Sequence, residues 1–178
     1  DAIIGGVALT WNSVGTQSFT FSSTNSGHAD VTPKLPGFGM FGKAPNGTLS
    51  MWANFTSLGT YQHLMGFRPD SGNNFYLLIM NDGFTSEARV STLNGNTDIS
   101  QSLASYVGTW ARYDFVVSGT TTKLYVNGTQ IGTATCSGNW NTISSLAAFG
   151  ICGVNNSYIN NETKVASVQV YNRALSDA

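Results

Sequence analysis

Residues 108–132 carry the clearest alternation of apolar and polar side chains in the chain. Three runs rich in β-branched and aromatic residues are separated first by Ser118-Gly119-Thr120 and then by Asn127-Gly128-Thr129. Asn and Gly both tolerate positive φ, so an Asn-Gly pair between two such runs is a strong hairpin signal. We therefore predict three consecutive antiparallel strands in this stretch.

The alternation within these strands predicts one buried face and one outward face. One set of positions is mostly apolar and consists of Ala111, Tyr113, Phe115, Val117, Leu124 and Val126. The opposite set carries polar, charged and large aromatic groups and consists of Trp110, Arg112, Asp114, Lys123, Tyr125 and Asn127. This pattern is typical of an antiparallel sheet with a second layer packed behind it.

Shorter runs predict further strands at residues 7–11, 18–23, 49–55, 61–67, 75–80, 85–92, 143–152 and 164–171. Residues 26–43 include Pro33, Pro36 and several glycines, which predicts an irregular loop or edge segment. Residues 68–74 predict a turn, and residues 93–107 predict a polar connection with one helical turn around 101–106. Many short strands with almost no helix predict an all-β, two-sheet antiparallel jelly-roll sandwich.

Four motifs resemble those of one known family. They are Gly108-x-Trp110 before an alternating strand, Lys123 to Gly128 with the sequence Lys-Leu-Tyr-Val-Asn-Gly, residues 168–176, and Leu49-Ser50-Met51-Trp52. Together they are similar to the LamG-like branch of the concanavalin A-like lectin/glucanase superfamily over residues 47–178. The resemblance implies the same jelly-roll fold and specifies that fold better than it specifies a ligand. Because such domains usually continue beyond this point, we expect residues 1–178 to be one module of a longer chain.

Composition and charge narrow the possible partners. Only 10% of the 178 residues are charged and the net charge is -1, whereas an average soluble domain has about 25% charged residues. The eight basic residues are spread singly along the sequence, which argues against nucleic acid or an anionic membrane surface as a partner. No run of 18 apolar residues occurs. This composition is typical of an extracellular protein or one exposed on a particle surface.

The residues give little support to catalysis. Members of the resembling superfamily that cut β-glucans carry Glu-x-Asp-x-x-Glu on one strand, and this chain lacks that motif because its only glutamates are Glu87 and Glu162. A glycosidase could still pair Glu87 with Asp114, since such enzymes need two carboxyl groups about 5–10 Å apart. Lyases on the same scaffold use a Tyr/His pair, and Tyr61 and His63 share a face of their predicted strand. We expect no enzymatic activity.

Two groups of residues are candidates for glycan binding. The first group occupies outward positions on strands that we expect to neighbour one another and consists of Trp52, Trp110, Arg112, Asp114, Glu87 and Arg89. Aromatic rings stack on sugar rings while fixed polar groups bind hydroxyls; the alternative is that the tryptophans pack under a loop and the charges pair among themselves. The second group lies in predicted loops, which often carry recognition, and consists of Trp140, Asn141 and Tyr158.

Three other features bear on chemistry. Cys136 and Cys152 form either a disulfide or two buried thiols. Asp70, Asp82 and Asp98 lie in predicted turns, where some members of the resembling superfamily bind Ca²⁺, but no stretch clusters enough oxygen ligands, so we expect no cofactor. Asn-x-Ser/Thr glycosylation acceptors occur at Asn46, Asn54, Asn127, Asn155 and Asn161.

The sequence thus favours a non-catalytic, lectin-like domain that binds carbohydrate or mediates adhesion outside the cell or on a particle surface. One alternative is a structural decoration or assembly domain of a virus, phage or cell appendage that contacts neighbouring protein chains. A further alternative is a glycoside-cleaving enzyme.

Overall fold

The computed structural model describes residues 3–5, 9–12, 18–21, 28–30, 46–56, 65–69, 75–81, 86–92, 95–99, 101–119, 121–135, 146–151, 163–171 and 173–175. The strands in these ranges are β1 (Ile3–Gly5), β2 (Leu9–Asn12), β3 (Ser18–Phe21), β4 (His28–Asp30), β5 (Asn46–Phe55), β6 (Met65–Pro69), β7 (Phe75–Asn81), β8 (Ser86–Thr92), β9 (Gly95–Ile99), β10 (Ala111–Ser118), β11 (Thr121–Val126), β12 (Thr129–Thr135), β13 (Leu146–Ile151) and β14 (Thr163–Tyr171). One short 3-10 helix, Ala104–Tyr106, precedes β10.

The strands form two seven-stranded sheets. Sheet I has the order β1-β4-β13-β6-β7-β8-β9, and sheet II has the order β12-β11-β10-β5-β14-β3-β2. Every pair within the described strands is antiparallel. The expectation of an all-β, two-sheet jelly roll is therefore confirmed. Within the described residues, no helix is long and apolar enough to span a membrane.

The core-facing side of sheet II follows the apolar alternation of its central strands. Tyr113 of β10 lies between Met51 of β5 and Val126 of β11, and all three side chains are buried. Leu103, which precedes the 3-10 helix, is fully buried as well. Side chains at alternate positions of these strands therefore build one apolar layer, as the period of two along a strand requires.

The two sheets approach each other closely at one edge. β12 is an edge strand of sheet II and β9 is an edge strand of sheet I. A Cβ atom added to Gly132 of β12 would collide with Cγ2 of Ile99 in β9 and would lie 3.2 Å from Cγ of Gln101. Position 132 therefore requires glycine because of this close approach, as is common where another chain segment packs against a strand.

The Asn127-Gly128 turn forms as the sequence predicts. Asn127 has φ 51° and Gly128 has φ 79°, and Val126 pairs directly with Thr129, so a two-residue loop joins β11 to β12. Positive φ at both central residues matches the turn type that suits the right-handed twist of paired strands. The three-strand meander predicted from residues 108–132 is confirmed.

Three local expectations were wrong. Residues 93–107 were expected to be a connection, but they contain β9; the helical turn expected there is confirmed as Ala104–Tyr106. Arg68 and Pro69 were assigned to a turn, yet they complete β6 by pairing with β13. The irregular segment expected at 26–43 contains β4, which pairs with β1 and β13. The strands at 28–30 and 65–69 pair with β13, which is distant in the sequence, whereas β9 pairs with β8, from which only residues 93 and 94 separate it.

Tyr113 carries a buried polar atom inside the apolar layer. Its side chain is 3% exposed, and its ring meets Phe55 and Tyr106 edge to face with centroid distances of 5.5 Å and 6.4 Å. Among the residues that the structure describes, its hydroxyl has no hydrogen-bond partner. Burial, with a smaller contribution from Tyr106, raises the pKa of Tyr113 well above its ordinary value of 10.0.

Replacing Tyr113 with phenylalanine should leave the unfolding free energy at neutral pH unchanged or slightly higher, because no hydrogen bond is lost. In the parent protein, the unfolded tyrosine ionises near its ordinary pKa while the folded phenol stays neutral, so stability falls above that pH by about 1.4 kcal/mol per pH unit. The Tyr113→Phe variant has no phenol at this position, so it lacks this part of the loss of stability at high pH. Urea unfolding of both proteins at about pH 7 and about pH 11 measures the difference. A clear loss of stability at neutral pH would show that the hydroxyl does have a partner.

Candidate functional site

The outer face of sheet II, on the side away from Met51 and Phe55, brings several predicted site residues together. Arg112 of β10 pairs directly with Trp52 of β5. Two residues further along the same two strands, Asp114 pairs with Ser50. Directly opposed residues have Cβ atoms about 5 Å apart, so their side chains can interact. Trp52, Arg112 and Asp114 were predicted to share this face, and the register places them there.

Trp52 is the most exposed member of this group. Its residue is 41% exposed, whereas its strand neighbours Met51 and Ala53 on the core side are 1% and 0% exposed. Trp52 is the one large hydrophobic residue that is exposed among the described side chains. A single exposed apolar residue is common on protein surfaces, so Trp52 becomes a candidate contact residue only together with the polar groups beside it.

Arg112 is held beside Trp52 by groups beneath it. Its Nε lies 3.0 Å from Oδ1 of Asp114 and donates to Oγ of Ser50 at 3.1 Å. Asp114 and Ser50 are buried, and the Asp114 side chain is 12% exposed, while the Arg112 side chain is 38% exposed. All of these contacts use Nε, so they orient the guanidinium without engaging its two terminal amino groups. Those amino groups are the donors that recognise carboxylate and hydroxyl oxygens.

The backbone of Arg112 is fixed by the neighbouring hairpin. The Asn127 N–H donates to the Arg112 carbonyl at 2.9 Å, and the Arg112 N–H donates to Oδ1 of Asn127, also at 2.9 Å. The turn residue thus extends the ladder between β10 and β11 by one more pair. Asn127 is exposed and was predicted as a turn residue and a glycosylation acceptor, but its role in positioning Arg112 was missed.

A bulge in β14 borders Trp52 on the other side. Ala166 pairs with Trp52 and Gln169 pairs with Ser50, so Ser167 and Val168 together oppose Met51. Ser167 is exposed and has φ 51°, an uncommon value for a residue with a side chain. Bulges redirect side chains and are frequent near binding and active sites. No sequence pattern indicated this bulge, because a serine in the left-handed conformation is not distinguished by residue type.

The opposite end of this outer face is covered by the chain itself. Thr48 of β5 is fully buried; its Oγ1 donates to the Arg173 carbonyl at 3.0 Å and accepts from the Leu175 N–H at 3.0 Å. Residues 173–175 therefore lie across the start of β5. We use the term open end for the uncovered part around Trp52 and Arg112, bordered by Ala166 and Lys164 of β14.

Glu87 and Arg89 do not join this group. Both belong to β8 of sheet I, whereas Trp52, Arg112 and Asp114 belong to sheet II. The expectation that their strands neighbour one another was wrong, because alternation identifies a face but not a sheet. The acid pair considered for a glycosidase, Glu87 and Asp114, is divided between the two sheets in the same way.

Trp110 directly precedes β10 and is half-buried. Asn54 is also half-buried and its Nδ2 donates to the Gly108 carbonyl at 3.4 Å, while Asn46 begins β5. Asp98 lies in β9 rather than in a turn. Among the described residues, no three His, Cys, Asp or Glu side chains cluster as a metal site would require.

The remaining predicted positions lie outside the described residues. They are Trp140, Asn141, Tyr158, Tyr61, His63, Cys136, Cys152, Asp70, Asp82, Asn155, Asn161 and Glu162. The loop group of glycan-binding candidates, the disulfide and two of the five glycosylation acceptors therefore stay predictions.

Comparison with solved structures finds similar folds at low sequence identity. Domain 4 of AbnA, a GH43 extracellular arabinanase from Geobacillus stearothermophilus in complex with arabinotriose, is 15% identical with a TM-score of 0.64, covering 97% of this chain and 78% of that one. The binding domain of botulinum neurotoxin DC in complex with SialylT is 14% identical with a TM-score of 0.68, covering 99% of this chain and 44% of that one.

The receptor binding domain of the botulinum neurotoxin C/D mosaic serotype gives a similar result, with 15% identity, a TM-score of 0.63 and coverage of 99% and 44%. This chain thus spans less than half of each of these toxin domains. At such identities the likeness concerns the fold.

The sequence itself identifies the family. No curated protein matches it significantly. A family model described as the concanavalin A-like lectin/glucanases superfamily, of the laminin G type, matches residues 24–178. This match covers most of the chain and includes every strand of the open end. The chain therefore belongs to the concanavalin A-like lectin/glucanases superfamily.

Proposed function

We propose that this domain is a non-catalytic, lectin-like module that binds carbohydrate through the open end of sheet II, outside the cell or on a particle surface. The observation that carries the proposal is the pairing of the exposed Trp52 ring with a guanidinium oriented by buried Asp114 and Ser50. An aromatic ring stacks on the apolar face of a sugar, and fixed polar groups at its edge bind hydroxyls.

Preorganisation of the surface supports the same proposal. Arg112 is anchored through its backbone by Asn127 and through Nε by Asp114 and Ser50. Ligand binding therefore has to order few protein groups, and ordering a long side chain costs about 0.5–1.5 kcal/mol. A weak ligand such as an oligosaccharide benefits most from a surface that is already ordered.

The non-catalytic part of the proposal is based on the small number of carboxyl groups on the described strands of sheet II. Asp114 is the sole acidic residue on the described strands of sheet II, and it is paired with Arg112. A glycosidase of the usual kind needs two carboxyl groups on either side of the bond that it cleaves. We therefore propose binding without hydrolysis. Release of reducing ends from any polysaccharide by the purified domain would contradict this part of the proposal.

Two structural neighbours support the carbohydrate ligand and the extracellular setting. One is a domain of an extracellular arabinanase and was solved with arabinotriose, and another is a toxin binding domain solved with SialylT. Those ligands belong to those proteins. For this chain they favour a saccharide over a protein partner as the occupant of the open end.

Replacing Trp52 with alanine should weaken binding to the best ligand of a broad glycan array at least tenfold, which corresponds to about 1.4 kcal/mol of lost stacking. Trp52→Tyr should retain most of the affinity because it keeps an aromatic face. Trp52→Ala should lower the unfolding free energy by about 1 kcal/mol and Trp52→Tyr by less, since the residue is 41% exposed and both aromatic residues favour strands. Isothermal titration calorimetry with the array ligand measures the affinities.

The alternative of a decoration or assembly domain gives a different result in the same experiment. If Trp52 is covered by a neighbouring protein chain, the folded domain binds no glycan of the array. Trp52→Ala then weakens association with that chain instead. A folded domain that binds no saccharide would overturn the carbohydrate proposal.

A further inference from the structure

The basic residues of the chain are not evenly distributed over the fold. Three of the eight lie in the described strands of sheet II, and these are Arg112, Lys123 and Lys164. The described strands of this sheet contain one of the nine acidic residues, Asp114. Sheet I has the opposite balance, with Arg68 and Arg89 against Asp30, Glu87 and Asp98 in its described strands. The described strands of sheet II therefore carry a net positive charge, although the whole chain has a net charge of -1.

Two of these cations flank Trp52. Arg112 stands directly opposite Trp52 on β10. On the other side of β5, Ala166 stands opposite Trp52 and Lys164 stands opposite Asn54, so Lys164 is the diagonal neighbour of Trp52. Diagonal neighbours across antiparallel strands are about 7–8 Å apart, within reach of a lysine side chain. Lys164 alternates with the buried Thr163 and Val165, which places it on the outer face.

Asp114 offsets part of this charge, because its carboxylate forms an ion pair with Nε of Arg112 at 3.0 Å. The Asp114 side chain is 12% exposed, whereas the Arg112 side chain is 38% exposed. Lys164 has no ion-pair partner among the described residues. The described charges around Trp52 therefore sum to one net positive charge, and the guanidinium is more exposed than the carboxylate that pairs with it.

We infer that the open end selects acidic saccharides, whose rings carry carboxylate groups, over neutral ones. This inference rests on the proposed function and specifies its ligand. The ring of the sugar stacks on Trp52, and a carboxylate accepts two hydrogen bonds from the terminal amino groups of Arg112, the bidentate geometry that guanidinium favours. Lys164 adds a second positive charge on the opposite side of the ring. A neutral sugar of the same shape gains the stacking but not the charge-assisted bonds.

The inference is tested by measuring the binding of three acidic polysaccharides, polygalacturonate, alginate and hyaluronan. Each is compared with its own carboxyl-reduced form. Reduction removes the charge and leaves the ring and the linkages in place. We expect binding to at least one of the three and a loss of at least tenfold on reduction, because hydrogen bonds to charged groups are worth more than neutral ones. The affinity should also fall as salt concentration rises.

Three variants separate local recognition from general charge. Arg112→Gln should weaken binding to the acidic polymer about tenfold, and Lys164→Gln should weaken it a few-fold. Arg173→Gln is the control, because it makes the same change in net charge at the covered end of the face. Arg173 contacts Thr48 there, and Thr48 lies about 13 Å from Trp52 along β5. Because physiological salt screens charges over about 8 Å, this control should change affinity by less than about twofold.

Each other outcome contradicts a specific statement. Equal binding of the acidic and carboxyl-reduced polymers through Trp52 overturns the inference but leaves the proposed function standing. Binding to none of the three acidic polymers also overturns the inference, and the glycan array then decides the proposed function separately. If poly-dT binds as tightly as the acidic saccharide, the domain attracts polyanions nonspecifically and the inference is overturned. Equal losses of affinity in Arg112→Gln and Arg173→Gln would overturn it for the same reason.

Discussion

Replacing Phe55 with alanine should lower the free energy of unfolding by about 3–5 kcal/mol. Phe55 is fully buried on the core side of β5, and its ring packs edge to face on Tyr113 at 5.5 Å. The variant loses the transfer free energy of the ring and leaves a cavity between the sheets. Since a domain of this size is stable by about 5–15 kcal/mol, this one change removes a large part of the total.

Trp52→Ala is the matched control for this experiment. It lies three residues earlier on the same strand, removes a larger ring and acts on the outer face. Urea unfolding followed by circular dichroism should show a loss of about 3–5 kcal/mol for Phe55→Ala and of about 1 kcal/mol for Trp52→Ala. Equal losses in the two variants would show that the assignment of faces in β5 is wrong.

Replacing Gly132 with alanine should cost about 1–3 kcal/mol, although alanine is normally tolerated in strands. The new Cβ would overlap Cγ2 of Ile99 and press on Cγ of Gln101 at 3.2 Å. The edges of the two sheets must then separate or Ile99 must leave its rotamer. Thermal and urea unfolding of the variant measures this cost.

A double-mutant cycle identifies the cause of that loss. Ile99→Ala removes Cγ2 and by itself should destabilise the protein, because Ile99 is buried. In the Ile99→Ala background, however, Gly132→Ala should cost much less than it does in the parent. A coupling free energy of about 1 kcal/mol or more supports direct contact between β9 and β12. Simple additivity of the two changes would contradict it.

The strands with clear alternation could be predicted from the sequence alone. β10 and β11 alternate over most of their length, and the Asn127-Gly128 turn between β11 and β12 has a defined backbone requirement. Both signals are local, since each depends on neighbouring residues. The residues that face the core in these strands were predicted for the same reason.

β9 could not be predicted in this way. Its sequence, Gly-Asn-Thr-Asp-Ile, contains one apolar residue and three residues that are uncommon in strands. It forms a strand because β8 supplies a pairing partner and Ile99 packs between the sheets. The pairing with β8 is local in the sequence, but the burial of Ile99 depends on packing that no local pattern records.

The sequence identified part of the open end. Alternation placed Trp52, Arg112 and Asp114 on outward faces, and the pairing of β5 with β10 brings them together. Ser50 lies two positions before Trp52 and so shares its face, but its burial and its hydrogen bond with Arg112 depend on that same pairing. Thr48 is buried through contacts with residues 173–175, more than a hundred positions away. Local patterns cannot reveal contacts of this separation.

The distribution of charge was also hidden in the sequence. Basic residues that stand singly along the chain indicated no basic surface, yet three of them lie in the described strands of one sheet. Strands that are distant in sequence become neighbours in a sheet, so charge clustering depends on topology. This is the reason why the acidic-saccharide inference arises only from the structure.

The central claim is that the open end of sheet II is the ligand-binding surface. Its most direct test is a titration of the isotope-labelled domain with the best saccharide from the array, followed by nuclear magnetic resonance. We predict that the largest shifts fall on the Trp52 indole N–H, the Arg112 side chain and the backbone of Ala166 and Ser167. Shifts confined to sheet I, or to residues remote from Trp52, would contradict the claim.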